Sequence, residues 1–253
     1  SFKREYLLQA IETGAVAYVS EIDYGVDIPC IIVSDIRRTL GCLADIAYDH
    51  PSGKVGVCAF TGTKGKTTSA YYLKGVLDAH ARLAGCHTSA LFSSVEFDDG
   101  VESGISKLTT PESFELERRL SNAVVSGCEH VIMEASSQAL KYEGAFTNIG
   151  EDHISPIEHP TFEDYFASKL KIFKQSRAAV VNLDMDHVDK VLEAAHVCER
   201  VVTYSLSNTD ADVYTTNLVH GPRGIVASVV TPRFSRDVLV PTPVKFNISN
   251  VLG

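Results

Sequence analysis

The class of fold turns on Val55-Gly56-Val57-Cys58-Ala59-Phe60-Thr61-Gly62-Thr63-Lys64-Gly65-Lys66-Thr67-Thr68. Its first half is a near-continuous apolar run, which predicts a strand, Val55–Phe60, buried on both faces. Its second half is a glycine-rich loop, Thr61–Thr67, and a helix is expected from Thr68 to about Leu83, closed by Gly85. Glycines in such a loop let backbone N–H groups turn inward around phosphate oxygens, and the helix N-terminus adds positive potential. Lys66 is placed to reach a β- or γ-phosphate, and the Thr67 hydroxyl to ligate Mg²⁺. The strict G-x-x-x-x-G-K-[ST] pattern fails, because Phe60 stands where its first glycine belongs. A bland turn is the rival reading, and the strand–loop–helix context argues against it.

Working outward, strands and helices alternate. A helix at about 4–13, strands Val16–Ser20 and Cys30–Val33, and a helix around Arg37–Ala47 precede the turn cluster Pro51-Ser52-Gly53-Lys54, which marks a boundary. After the loop come a strand His87–Val95, a hairpin turn at Asp98-Asp99-Gly100, and a helix capped by Thr110 with Pro111 at its first position and Gly127 at its end. Strands His130–Ala135 and Gly144–Ile149, a helix Phe162–Gln175 capped by Thr161, and a strand Ala178–Leu183 follow. A helix Val188–His196, a strand Arg200–Tyr204, and antiparallel strands Val213–His220, Gly224–Thr231 and Asp237–Val240 complete the expected order. This order predicts an α/β fold with a mostly parallel sheet. The expected division is 1–50, part of a small α/β domain, and 51–253, a phosphate-loop domain.

The 253 residues carry 23 Lys+Arg against 32 Asp+Glu, a formal charge of -9. An acidic chain repels nucleic acid and anionic membranes on average, so a phosphate ligand needs a local site. No apolar run approaches the ~20 residues of a membrane span. The six cysteines are widely spaced without a CxxC and are expected to be reduced, buried thiols of a cytoplasmic protein.

The variant loop, T-G-T-x-G-K-T-T, resembles the ATP loop of the Mur ligase family, and further segments resemble that family in the same order. They are Thr109-Thr110-Pro111-Glu112, Val131-Ile132-Met133-Glu134-Ala135-Ser136-Ser137, Asn148-Ile149-Gly150-Glu151-Asp152-His153, Phe166-Ala167-Ser168-Lys169 and Phe246-Asn247-Ile248-Ser249-Asn250. The resemblance implies ATP at Gly62, Thr63, Lys64, Gly65, Lys66, Thr67, Thr68 and Asn250. It implies Mg²⁺ at Thr67, Glu134 and His153, and substrate contacts at Thr109, Thr110 and Ser136. Lys66, Glu134, His153 and a carbamylated Lys169 would be the catalytic set. Taken singly, a Thr-Pro helix start, a lone histidine and a helix lysine are each more often structural.

The implied activity is an ADP-forming amide ligation in peptidoglycan precursor synthesis. The branch it resembles adds a diamino acid, L-lysine or meso-diaminopimelate, to UDP-N-acetylmuramoyl-L-alanyl-D-glutamate; Tyr18-Val19-Ser20-Glu21 and Asp152-His153-Ile154-Ser155-Pro156 resemble lysine-adding members. The chain is expected to be a fragment lacking the C-terminal ligase domain. The connection Lys141-Tyr142-Glu143 is expected to have lost residues, since a parallel crossover needs ~10–12. A folylpolyglutamate-type ligase and a non-catalytic nucleotide module are the rivals. A serine hydrolase built on Ser136, Ser137, Asp152 and His153 lacks a G-x-S-x-G elbow.

Overall fold

A computed structural model of the protein describes residues 2–136 and 161–253. The expected strand Gly144–Ile149, the short connection before it, and Ser137, Asn148, Asp152 and His153 lie outside the described residues.

The first fifty residues form α1 (Arg4–Glu12), α2 (Ile36–Ala47) and a parallel pair, β1 (Tyr18–Ser20) with β2 (Cys30–Ile32). Two carboxylates satisfy the start of α2: Asp35 accepts from Arg38 N at 3.0 Å and Glu21 from Ile36 N at 2.9 Å. A 3₁₀ turn over Pro51–Gly53 leads into the central sheet.

That sheet has the order β3 (Gly56–Phe60), β7 (His130–Glu134), β4 (Ala90–Phe92), β5 (Glu96–Asp98), β6 (Ser103–Ile105). Strands β3, β7 and β4 are parallel, whereas β4, β5 and β6 form an antiparallel meander. Helix α3 (Lys66–Ala84) and helix α4 (Ser113–Ser126) follow the two sheet faces, and β7 shows why both are needed. Its Ile132 packs with Phe60, Ala70 and Leu91 on the α3 side, while Val131 and Met133 pack with Phe92, Leu120 and Ala123 on the α4 side. Side chains alternate across a strand, so the apolar run buries both faces. The strand buried in this way is β7; Val57 of β3 is 40% exposed, and burial in β3 grows only towards Phe60.

Residues 161–253 build a second sheet, ordered β12 (Ser235–Val240), β11 (Gly224–Val230), β10 (Val213–Gly221), β9 (Arg200–Ser205), β8 (Ala178–Asn182). It is parallel from β8 to β10 and antiparallel from β10 to β12. Helices α5 (Phe162–Leu170) and α6 (Val188–Ala195) cover β8 through Tyr165, Phe166, Val181 and Val191, a core that also takes in Ala135 just past β7. Helix α7 (Phe246–Leu252) inserts Ile248 among Ile225, Ala227, Val229 and Val240 and reaches Tyr72 of α3. The architecture is therefore α/β with parallel-rich sheets.

Several expectations need correcting. Thr110 does not cap α4, whose N-cap is Glu112; its hydroxyl is engaged elsewhere, as described below. Strand His87–Val95 shrinks to Ala90–Phe92. The backbone of Ser89 is taken by α3, its N–H by Asp78 (2.8 Å) and its carbonyl by Lys74 (2.7 Å), and the Ser93 hydroxyl folds the chain back by accepting from Val95 N and Glu96 N. The helix from Phe162 stops at Leu170 and tightens to a 3₁₀ turn over Lys171–Gln175. The cysteines are free, but only Cys128 is buried, and Cys42 and Cys86 are exposed.

Candidate active site

In parallel β-sheets, ligand-binding groups collect beyond the carboxyl ends of the strands. Register brings three such ends level here: Phe60 pairs with Glu134, and Met133 with Phe92. The loop leaving β3 is held at two glycines. Gly62 has φ +148°, and Gly65, the N-cap residue of α3, has φ +86°. Side-chain-bearing residues avoid that region. Lys66 folds back over the loop and donates from Nζ to Gly62 O at 2.8 Å and to Thr63 O at 3.4 Å. Helix α3 starts at this loop with no acidic residue in its first turn, so the positive end of its dipole is left for a bound anion. Lys64 is exposed on the loop, and Thr68 is half-buried in the first turn.

Glu134 is the last residue of β7 and 1% exposed. A buried carboxylate needs donors, and Ser94, just past β4, supplies two: its N–H at 2.8 Å and its hydroxyl at 3.1 Å, both to Oε1. The same hydroxyl lies 3.3 Å from Thr67 Oγ1. Thr67, Ser94 and Glu134 thus form a continuous row of hard oxygen donors beside the phosphate loop, a set that fits Mg²⁺ rather than a soft metal. Among the described residues no group of three or more His, Cys, Asp or Glu is placed to hold a metal ion, so a metal here depends on the hydroxyls and on any donor from outside them. Thr110 joins the same strand end, donating to Glu134 O at 3.0 Å and accepting from Ser136 N at 2.9 Å. That double engagement is why it is unavailable as a helix cap. Thr109 is half-buried next to it.

Lys169 is not a solvated helix lysine. It is 2% exposed, with Nζ 3.4 Å from Thr61 Oγ1 and 4.7 Å from the centroid of the Tyr165 ring, one helical turn earlier on α5. Asn250 of α7 lies against the loop: a Cβ built on Gly65 would come within 2.4 Å of its Oδ1. Its Nδ2 donates to Asn247 Oδ1 at 3.1 Å, and Asn247 Nδ2 donates to Thr242 Oγ1 at 3.1 Å. Nearby, the Tyr71 hydroxyl is pushed up by burial and by its bond to the Glu96 carboxylate, and burial raises the Cys58 thiol in β3.

The structure thus gathers Gly62–Thr68, Thr110, Glu134, Ser136, Lys169 and Asn250 at one end of the sheets; His153 lies outside the described residues. Sequence reasoning placed Thr61 in the loop motif without giving it a role, and missed Ser94 and Tyr165. Ser94 was accessible to it in principle, because polar residues just beyond a parallel strand flank the ligand. Tyr165 carried no signal beyond its spacing from Lys169 on one helix face.

Residues 60–253 match the family described as Mur ligase middle domain. Over 203 residues the chain is 45% identical to the UDP-N-acetylmuramoyl-L-alanyl-D-glutamate--L-lysine ligase of Streptococcus agalactiae serotype Ia, covering 76% of this chain and 41% of that protein. Among solved structures it superposes on a UDP-N-acetylmuramoyl-L-alanyl-D-glutamate--2,6-diaminopimelate ligase with TM-score 0.81 and 25% identity, over 98% of this chain and 52% of that one. It also superposes on the MurF ligase of Thermotoga maritima in complex with ADP, with TM-score 0.64 and 16% identity, over 100% of this chain and 56% of that one. The chain therefore spans less than half of the curated relative's length. With the phosphate loop, the Glu134 strand end and the Asn250 helix all inside the matched residues, the chain belongs to the Mur ligase family.

Proposed function

We propose that the protein carrying this chain is an ATP-dependent ligase that joins L-lysine to the D-glutamyl carboxylate of UDP-N-acetylmuramoyl-L-alanyl-D-glutamate. In this reading residues 51–253 are its nucleotide-binding domain and residues 1–50 part of the domain that holds the uridine nucleotide. The observation that carries the reading is the row Thr67–Ser94–Glu134 beside Lys66, with Thr110 and Ser136 hydrogen-bonded to the same strand end. The name of the relative at 45% identity favours lysine over diaminopimelate. Among the described residues no helix is long and apolar enough to cross a membrane, in keeping with work on water-soluble precursors in the cytoplasm.

The residues divide the labour as follows. Lys66 exchanges its bonds to Gly62 O and Thr63 O for oxygens of the β- and γ-phosphates, so its charge sits where negative charge accumulates in phosphoryl transfer. The N–H groups of the first turn of α3 hold the phosphate chain, and Asn250 borders the loop for the rest of the nucleotide. Thr67 and Glu134 would hold Mg²⁺, with His153 for a second ion; bound there, the metal would neutralise phosphate charge. Thr109, Thr110 and Ser136 hold the acceptor with its carboxylate towards the γ-phosphate. A carboxylate oxygen attacks phosphorus and ADP leaves. The lysine amine then attacks the acyl phosphate carbonyl, inorganic phosphate leaves and the nitrogen loses a proton. A carbamate on Lys169 would form once its ammonium has given up a proton: the neutral amine attacks CO₂, a second proton leaves the nitrogen for solvent, and the side chain becomes an anion with two oxygen donors.

Two measurements test this. ADP release by the whole protein should require both the UDP-muramoyl-dipeptide and L-lysine; release driven by a folate and glutamate instead would overturn it. The peptide containing Lys169, trapped with labelled bicarbonate, should carry one CO₂; an unmodified lysine at saturating bicarbonate would remove the carbamate from the scheme.

A further inference from the structure

Tyr165 is fully buried in the core of Phe166, Ile172, Val181 and Val191, where a phenylalanine would fill the same space. Its hydroxyl is the part that packing does not explain, because a buried hydroxyl is costly without a partner. A partner stands in the phosphate loop: Tyr165 Oη lies 3.2 Å from Thr63 Oγ1, across 102 residues of sequence. The ring does a second job, lying beneath Lys169 Nζ at 4.7 Å, in the range of a cation–π contact. Lys169 in turn reaches Thr61, the other threonine flanking Gly62. Alternate residues of the loop, Thr61 and Thr63, are thereby tied to successive turns of α5. Between them stands Gly62, whose carbonyl holds Lys66.

We propose that Tyr165 is a positioning residue for nucleotide binding: its hydroxyl sets the phosphate loop against α5, so that Gly62 and Lys66 present the phosphate site in one geometry with Lys169. The inference rests on the nucleotide reading above. It concerns a residue that touches neither phosphate nor acceptor in that reading, and it acts through Thr63.

The test is calorimetric titration of Mg·ADP into the chain and three variants, with thermal midpoints recorded in parallel. Tyr165→Phe keeps the ring and the core and is expected to weaken Mg·ADP about five-fold, the scale of one lost hydrogen bond. Thr63→Val removes the same bond from the loop side, and in its background Tyr165→Phe should cost nothing further, whereas independent residues would multiply their losses. Unchanged Mg·ADP affinity in Tyr165→Phe, or losses that multiply in the double variant, would overturn the proposal and leave the nucleotide reading standing. Failure of the parent chain to bind Mg·ADP would overturn both. If Tyr165→Phe does not fold, Thr63→Val decides by itself: an affinity equal to that of the parent would overturn the proposal, and a loss of about five-fold would support it.

Discussion

Lys66→Ala lowers acceptor-dependent ADP formation by about 10²–10³-fold, the scale of removing one preorganised group from the place where transition-state charge develops. The lysine stands at the first position of α3, and its ammonium already bridges the carbonyls of Gly62 and Thr63. A phosphate oxygen competes well with those carbonyls because a charge-assisted bond is roughly twice as strong as a neutral one. Lys66→Met, which keeps the aliphatic stem, should fall as far, because what is lost is the charge and its donors. Lys66→Arg should not restore activity, since a planar fork cannot replace a compact ammonium in a cradle of this size. Full activity in Lys66→Met would show that phosphate is held elsewhere.

Gly65→Ala is the second large effect, and it arises from two separable terms. At φ +86° an alanine pays about 1–2 kcal/mol for left-handed backbone, a loss of about 2–8 °C in Tm for a domain of this size. The new Cβ would also meet Asn250 Oδ1 at 2.4 Å. Asn250 cannot swing aside freely, because its Nδ2 is bonded to Asn247, which is bonded to Thr242. The expected outcome is a Tm loss in that range together with a fall of at least about ten-fold in nucleotide affinity, one decade being 1.4 kcal/mol. In an Asn250→Ala background the contact vanishes and only the backbone term remains, so the two substitutions should cost less together than their separate costs summed. Strict additivity would mean that Asn250 does not press on the loop.

What could be read from residues alone was the order of elements and the position of the loop. Both depend on local signals: apolar periodicity, glycine at chain reversals, and a lysine–threonine pair at a helix start. What could not be read was set by contacts distant in sequence. Thr110 looks like a helix cap because Pro111 follows it, yet its hydroxyl is spent on β7, 24 residues ahead. The strand around Ala90 looks longer than it is because nothing local shows that Lys74 and Asp78 take the backbone of Ser89. Val55–Phe60 looks like the most buried strand, but β7 stands between β3 and β4 and takes that place. In the candidate site, Glu134 and Lys66 are singled out by their motifs. Ser94 is not, because a lone serine after a short strand acquires meaning only when parallel pairing sets it against Glu134. Lys169 is singled out by resemblance alone, since its contacts with Thr61 and with the Tyr165 ring are set by the fold and not by its immediate neighbours in sequence.

The central claim is that this chain holds a nucleotide by its phosphates at the loop Thr61–Thr68. The most direct test is calorimetric titration of Mg·ATP into the chain and into its Lys66→Ala variant. One saturable site in the parent, lost or weakened by at least 10²-fold in the variant, is the predicted result. No binding to the parent, or equal binding to both proteins, would contradict it.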